Sequence, residues 1–149
     1  LDIEQVSQRL EGAQSVIARH GDASLSVHPT EALTVLEGRR IAESLTALPA
    51  DQRPDAIFAA NDLLAMGVIQ AIVMSSSLRV PEDIALVGYD DIDFASAAVV
   101  PITSVRQPAA EIGATAVELL LREAAGTEQR EQIVFQPELV ARASTLGYR

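Results

Sequence analysis

Asn61 and Asp90 are the residues of this 149-residue chain best suited to meeting a small polar molecule. Each closes a short apolar run, Asp55-Ala-Ile-Phe-Ala-Ala-Asn-Asp62 in one case and Ile84-Ala-Leu-Val-Gly-Tyr-Asp-Asp91 in the other. Apolar runs of that length read as strands buried on both faces, as in a parallel sheet covered by helices. Ligands of open parallel sheets bind beyond the carboxyl ends of the strands. A carboxylate accepts hydrogen bonds and an amide both donates and accepts them, which suits a hydroxyl-rich ligand. The same residue types also cap helices and form turns, and Asp62 is expected to cap the helix that follows it.

The rest of the chain alternates helix and strand around these positions. Asp2 and Gln5 have the spacing of a capping box, Val6, Leu10, Ala13 and Ile17 recur at helical spacing, and Gly21 can stop that helix. Residues 25–27 form a short strand candidate. Thr34 and Glu37 make a second capping box, opening a helix whose Ile41, Leu45 and Leu48 share a face until Pro49. A strand over 56–60 leads to a helix over 63–75, a loop over 75–81, a strand over 84–89 and an irregular acidic stretch over 90–100. A strand over 102–105 follows, then a helix from Pro108 to about residue 125 that Gly126 ends. Short strands over 132–135 and 139–142 close the chain. This order predicts an α/β fold with a mostly parallel sheet.

Composition narrows the function. The length fits one domain with a real core, and 48% hydrophobic residues with 3% aromatics predict a core of Ala, Val, Ile and Leu. A formal charge of -10 argues against this segment gripping a phosphate backbone, which needs clustered Lys and Arg. With Cys 0, disulfides and thiolate chemistry are excluded, and a reducing cytosol is the fitting compartment. No run is apolar for long enough to span a bilayer, and the start lacks a secretion signal.

Several stretches, in order along nearly the whole chain, resemble the C-terminal part of the effector-binding domain of LacI/GalR-family transcription regulators. They are Arg9-Leu-Glu-Gly12, Ala60-Asn-Asp-Leu-Leu-Ala-Met-Gly67, Val80-Pro-Glu-Asp-Ile-Ala-Leu-Val-Gly-Tyr-Asp-Asp91, Pro101-Ile-Thr-Ser-Val-Arg-Gln-Pro108 and Leu139-Val-Ala-Arg-Ala-Ser-Thr145. The resemblance implies a doubly wound, mostly parallel sheet, the C-terminal lobe of a type I periplasmic-binding-protein-like fold. The chain opens with a helix where that family has a strand, preceded by a whole lobe and a helix-turn-helix head. Residues 1–149 are therefore expected to be a partial effector-binding and dimerisation domain, truncated on its N-terminal side. Residues 108–126 would then pack with the missing lobe, and the isolated chain would associate and bind effector poorly.

By the same resemblance Arg9, Asn61 and Asp90 line the effector pocket, although from its residue type alone Arg9 would be an exposed helix residue. Leu33 falls where many members carry an aromatic that stacks on the effector ring. Stacking from this position is absent, and an effector smaller or more apolar than a sugar stays open. Arg106 and Gln107 lie where the family chain crosses between lobes, with Gln107 facing the pocket or hinge, or else serving an ordinary helix-leading loop. The helix over 63–73 is apolar nearly all round, so it is buried on more than one side. The resemblance assigns one side to a dimer interface, with Leu64, Met66, Ile69 and Val73 as candidates; the alternative is a third layer from the same chain.

The acidic group Asp90, Asp91 and Asp93 lacks the Gly and terminal Glu of a calcium loop, and His20 and His28 are isolated, so no metal or other cofactor is expected. The reading is a non-enzymatic, cytoplasmic sensor that binds a small polar effector, as a homodimer, and reaches operator DNA only through a head outside this chain. Rival readings are a periplasmic or membrane-tethered sugar-binding protein of the same fold, and an enzyme using Asp90 and Asp91 as acid and base. No nucleophile–His pairing, glycine-rich phosphate loop or cofactor motif supports the enzyme.

Overall fold

The computed structural model describes residues 3–126 and 131–147. Strands β1 (Ala56–Phe58), β2 (Ala85–Asp90), β3 (Thr103–Arg106) and β4 (Glu138–Val140) form one sheet in the order β1-β2-β3-β4. β1, β2 and β3 run parallel, and β4 is antiparallel to β3. The mostly parallel sheet expected from the strand–helix alternation is therefore present, with the exits of β1 and β2 at the same end.

Helices α1 (Glu4–Ile17), α2 (Val35–Thr46), α3 (Asp62–Ser75), α4 (Asp93–Ala97), α5 (Ala109–Ala124) and α6 (Ala143–Leu146) connect or follow the strands. The core lies where α3 meets the sheet: Ala65, Val68, Ile69 and Ile72 pack with Ile84, Leu86 and Ile102. α2 lies across α3 in backbone contact. A Cβ on Gly38 would sit 2.1 Å from the Leu64 carbonyl oxygen, and one on Gly67 would sit 2.0 Å from that of Val35. Glycine at both positions lets the two helices approach closely enough to bury Ala42 and Leu45.

Several local expectations are corrected. Asp2 lies outside the described residues; α1 starts after Ile3 without a side-chain cap and ends at Ile17, followed by the right-handed Ala18, so Gly21 does not stop it. Residues 25–27 and 132–135 are not strands: the sheet among the described residues consists of β1 to β4. The acidic stretch after β2 contains the short helix α4, and the last expected strand divides into β4 and α6. Asn61, not Asp62, caps α3: its Oδ1 accepts from the Leu64 N–H at 2.9 Å, while Asp62 is the first helical residue and points inward. Thr34 caps α2 as expected, its hydroxyl accepting from Glu37 N–H. Glu37 turns to the Glu31 N–H and so leaves the reciprocal capping-box bond unmade.

The dimer assignment on α3 is also corrected in part. Leu64 is 7% exposed and Ile69 is 2% exposed, so both belong to the core of this chain, Leu64 where α2 crosses at Gly38. The outward stripe of α3 is instead Leu63, Met66, Gln70 and Val73, a helical spacing on which Val73 is 41% exposed. α1 and α5 bury no residue, and α5 leaves Val117, Leu120 and Leu121 exposed.

The tight α2–α3 crossing makes a direct prediction. Gly67→Ala forces the helices apart against backbone atoms, and overpacking of this kind costs about 1–3 kcal/mol or more. Urea denaturation should show a lower midpoint, whereas Gly12→Ala, in open space on α1, should leave the midpoint unchanged or raise it slightly.

Candidate functional site

The carboxyl end of β2 turns sharply. Asp90 and Asp91 have φ of 99° and 52°, the left-handed region that non-glycine residues avoid. Such conformations cost about 1–3 kcal/mol each and persist only where the surroundings over-determine them. Here the turn sends the two neighbouring carboxylates to separate sets of partners.

Asp90 meets α1 and the residue after β3. Its Oδ1 accepts from Gln107 Nε2 at 3.1 Å and lies 3.6 Å from Arg9 Nη2. Arg9 also donates from Nη1 to the Ala60 carbonyl at 2.6 Å, and its guanidinium lies 3.6 Å above the Tyr89 ring. That contact is a cation–π arrangement within the usual limit of about 6 Å. The guanidinium fork is thus held by a carbonyl, a carboxylate and an aromatic face. Asn61 follows Ala60, is 9% exposed, and donates from Nδ2 to the Leu33 carbonyl at 3.4 Å.

The sequence candidates therefore form one continuous polar group running Gln107, Asp90, Arg9, Ala60, Asn61 and Leu33. Arg9 of α1 and Gln107 after β3 both meet Asp90 at the end of β2. Asn61 and Leu33 join through backbone groups, and the Asn61 oxygen is committed to capping α3. Each end of the Asn61 amide thus already holds one backbone partner, Leu64 N–H at the oxygen and the Leu33 carbonyl at the nitrogen, and keeps one further lone pair and one further N–H.

Beneath this group lies a second network that sequence reasoning missed. Asp91, with a side chain 4% exposed, accepts from Arg142 Nη1 at 2.6 Å and from Arg106 Nε at 2.7 Å. Arg142 also donates to the Ile102 carbonyl, and its own N–H donates to Thr103 Oγ1. Burial alone would raise the Asp91 carboxyl, but the hydrogen bonds and charges of Arg142 and Arg106 outweigh it and hold the group below the ordinary aspartate value. Asp62 is fully buried, accepting from Ser104 Oγ at 2.7 Å and from the Ile92 N–H at 2.9 Å. Burial pushes its carboxyl up, helped by the charges of Asp90 and Asp91 and opposed by those two hydrogen bonds. No sequence spacing could pair Asp91 with Arg142, which are brought together only when β4 folds back along β3. The one available signal for Asp62 was its adjacency to Asn61, since two successive residues cannot both cap one helix.

Among the described residues no group of His, Cys, Asp and Glu has the arrangement of a metal site, and no helix is long and apolar enough to cross a membrane.

Residues 4–145 match the family described as Periplasmic binding protein-like domain. The chain belongs to that family. It is 38% identical over 137 residues to the HTH-type transcriptional repressor PurR of Aliivibrio fischeri, covering 86% of this chain and 39% of that repressor. It is 42% identical over 93 residues to the ribose operon repressor of Escherichia coli, covering 62% of this chain and 28% of the relative. Among solved structures, a dimeric Lac repressor with a C-terminal deletion superposes with a TM-score of 0.86 at 28% identity, over 97% of this chain and 52% of that one. A LacI-family regulator of Lactobacillus casei with bound sucrose gives 0.75 at 30% identity, over 91% of this chain and 50% of that one. The LacI/GalR resemblance of the motifs is thus upheld by relatives and by fold. The chain spans about two fifths of the PurR relative, 39%, and about half of these solved chains.

The ion pairs at Asp91 set the sign of a pH dependence. Because its folded value is lowered, its contribution to stability is present above the ordinary value of 3.8 and is lost as pH falls through the folded value. Asp91→Asn should lower the thermal midpoint at pH 7, and the gap from the parent protein should close in melts run at successively lower pH below that value. A gap that stays constant down to strong acid would show that the pairs contribute nothing.

Proposed function

We propose that this chain is the C-terminal effector-binding part of a DNA-binding transcription regulator, a repressor, answering to a small polar ligand such as a sugar. The observation that carries the reading is the contact of Arg9, Asp90 and Gln107 at the exit of β2, where an open parallel sheet presents its ligand site. The group offers a carboxylate acceptor, amide and guanidinium donors and the Tyr89 ring, a set that recognises hydroxyl-bearing molecules. The comparisons support it: the relatives named above are repressors, and one solved neighbour holds sucrose. A ligand-binding, non-enzymatic role in the cytoplasm is the corresponding reading for this chain.

The exposed apolar side of α5, with Val117, Leu120 and Leu121, is the surface proposed to pack on a second lobe, so that the effector lies between lobes. An effector that binds one lobe arrangement better shifts the population toward it. Two copies joined through α3, along Leu63, Met66 and Val73, would pass that shift to paired DNA-binding heads. Operator contact belongs to those heads, because a segment of an acidic chain of charge -10 is unsuited to phosphate.

In the intact protein, titration calorimetry against ribose, arabinose, glucose and sucrose should find a binder. Asp90→Ala should then weaken its binding by about 1–3 kcal/mol by stranding ligand hydroxyls. Binding of none of the four, or unchanged affinity in the variant, would count against a sugar or against this site respectively.

Val73→Glu places an unpaired charge on the α3 stripe and should convert a dimer to monomer in sedimentation at micromolar concentration. A dimer that persists would locate the subunit contact elsewhere.

A further inference from the structure

The left-handed turn that aims Asp90 must be held by something other than Asp90 itself. Three backbone and side-chain constraints act on residues 90–92. The Asp91 N–H donates to Ser104 Oγ at 3.0 Å, the Ile92 N–H donates to Asp62 Oδ2 at 2.9 Å, and the Asp91 carboxylate is paired with Arg106 and Arg142. The first two converge on one buried group. Ser104 is fully buried, and because its oxygen already accepts from Asp91 it directs its hydrogen to Asp62 Oδ1 at 2.7 Å. Asp62 thus holds the Ile92 amide directly and the Asp91 amide through Ser104. An ionised carboxylate only accepts hydrogen bonds, which fixes the direction of every bond in the chain.

Gly88 makes room for this arrangement. A Cβ at Gly88 would stand 2.1 Å from Asp62 Oδ1, so the strand carries a glycine where the carboxylate crosses it. Burying a carboxylate is costly, as the upward shift of this group records, and an apolar residue at the first helical position would pack the core without that cost.

We propose that Asp62 is a positioning residue for the effector site: its buried carboxylate, acting through Ser104 and the Ile92 amide, holds residues 90–92 in the turn that directs Asp90 toward Arg9 and Gln107. The proposal rests on the reading of Asp90 as an effector ligand, but its first test needs no effector. Crystal structures of the intact protein should be compared with those of Asp62→Ala, Ser104→Ala and Gly88→Ala. The last displaces the carboxylate without removing a polar group, and Ser104→Ala keeps the test decisive if Asp62→Ala does not fold. In the variants Asp90 should leave the left-handed region and its contacts to Gln107 and Arg9 should open, with Asp62→Asn, which keeps one acceptor oxygen, intermediate. An unchanged turn in Ser104→Ala and Gly88→Ala would overturn the proposal, whatever their melting temperatures.

The second test is a double-mutant cycle, read by calorimetry with whichever of ribose, arabinose, glucose or sucrose binds. Ser104→Ala should lower affinity about tenfold in the parent protein and have no further effect in an Asp90→Ala background, because it acts through Asp90. Equal losses in both backgrounds would assign Ser104 and Asp62 a general structural role and overturn the proposal. A silent Asp90→Ala with a displaced turn would instead leave the positioning role standing and remove Asp90 from the effector site.

Discussion

A carboxylate taken out of water must be met by donors, and Asp62 can be met only if three separate parts of the chain come together around it. It begins α3, its partner Ser104 lies in β3, and its other partner is the amide of Ile92 beyond β2. Each of these elements is thereby placed relative to the other two at the end of the sheet where a ligand would arrive. The core behind it, from Ala65 to Ile72 on α3 with Leu86 of β2 and Ile102 just before β3, is built of interchangeable aliphatic contacts. Hydrophobic burial of that kind drives folding without direction. Directed bonds to a buried charge instead specify one arrangement, since any slip leaves a desolvated group unpaired.

The neighbouring carboxylates show how one turn divides two roles. The Asp91 side chain is buried and paired with two arginines from late in the chain, tying β3 and the segment after β4 to the exit of β2. Asp90 keeps a side chain 36% exposed, touching Gln107 and Arg9. These groups satisfy one another in the structure described here. On the proposed function, a ligand entering among them would exchange existing hydrogen bonds for new ones, and its affinity would depend on how well it matched the fork of Arg9 and the amide of Gln107. The same exchange would loosen or tighten α1, which is joined to the lobe through the bond from Arg9 to the Ala60 carbonyl. Arg9 would in this way link occupancy of the proposed site to the seating of α1.

The sequence by itself determined most of the element order, the mostly parallel sheet and the placing of Asn61 and Asp90 beyond strand ends. These are local properties: apolar periodicity, capping residues such as Thr34 and the glycine after α5 act over a few residues and can be read from a few residues. The resemblance of its motifs added Arg9 and Gln107, which spacing could not have supplied. Only the tertiary structure decided the rest. Which of Asn61 and Asp62 caps α3 depends on whether Ser104 and Ile92 are there to receive the other. Whether Leu64 faces a partner or the interior depends on α2 crossing α3 at Gly38 and Gly67. The pairing of Asp91 with Arg142 depends on β4 returning antiparallel to β3. In each case the deciding partner lies far along the chain, and its contribution is an energy of contact that no local pattern contains.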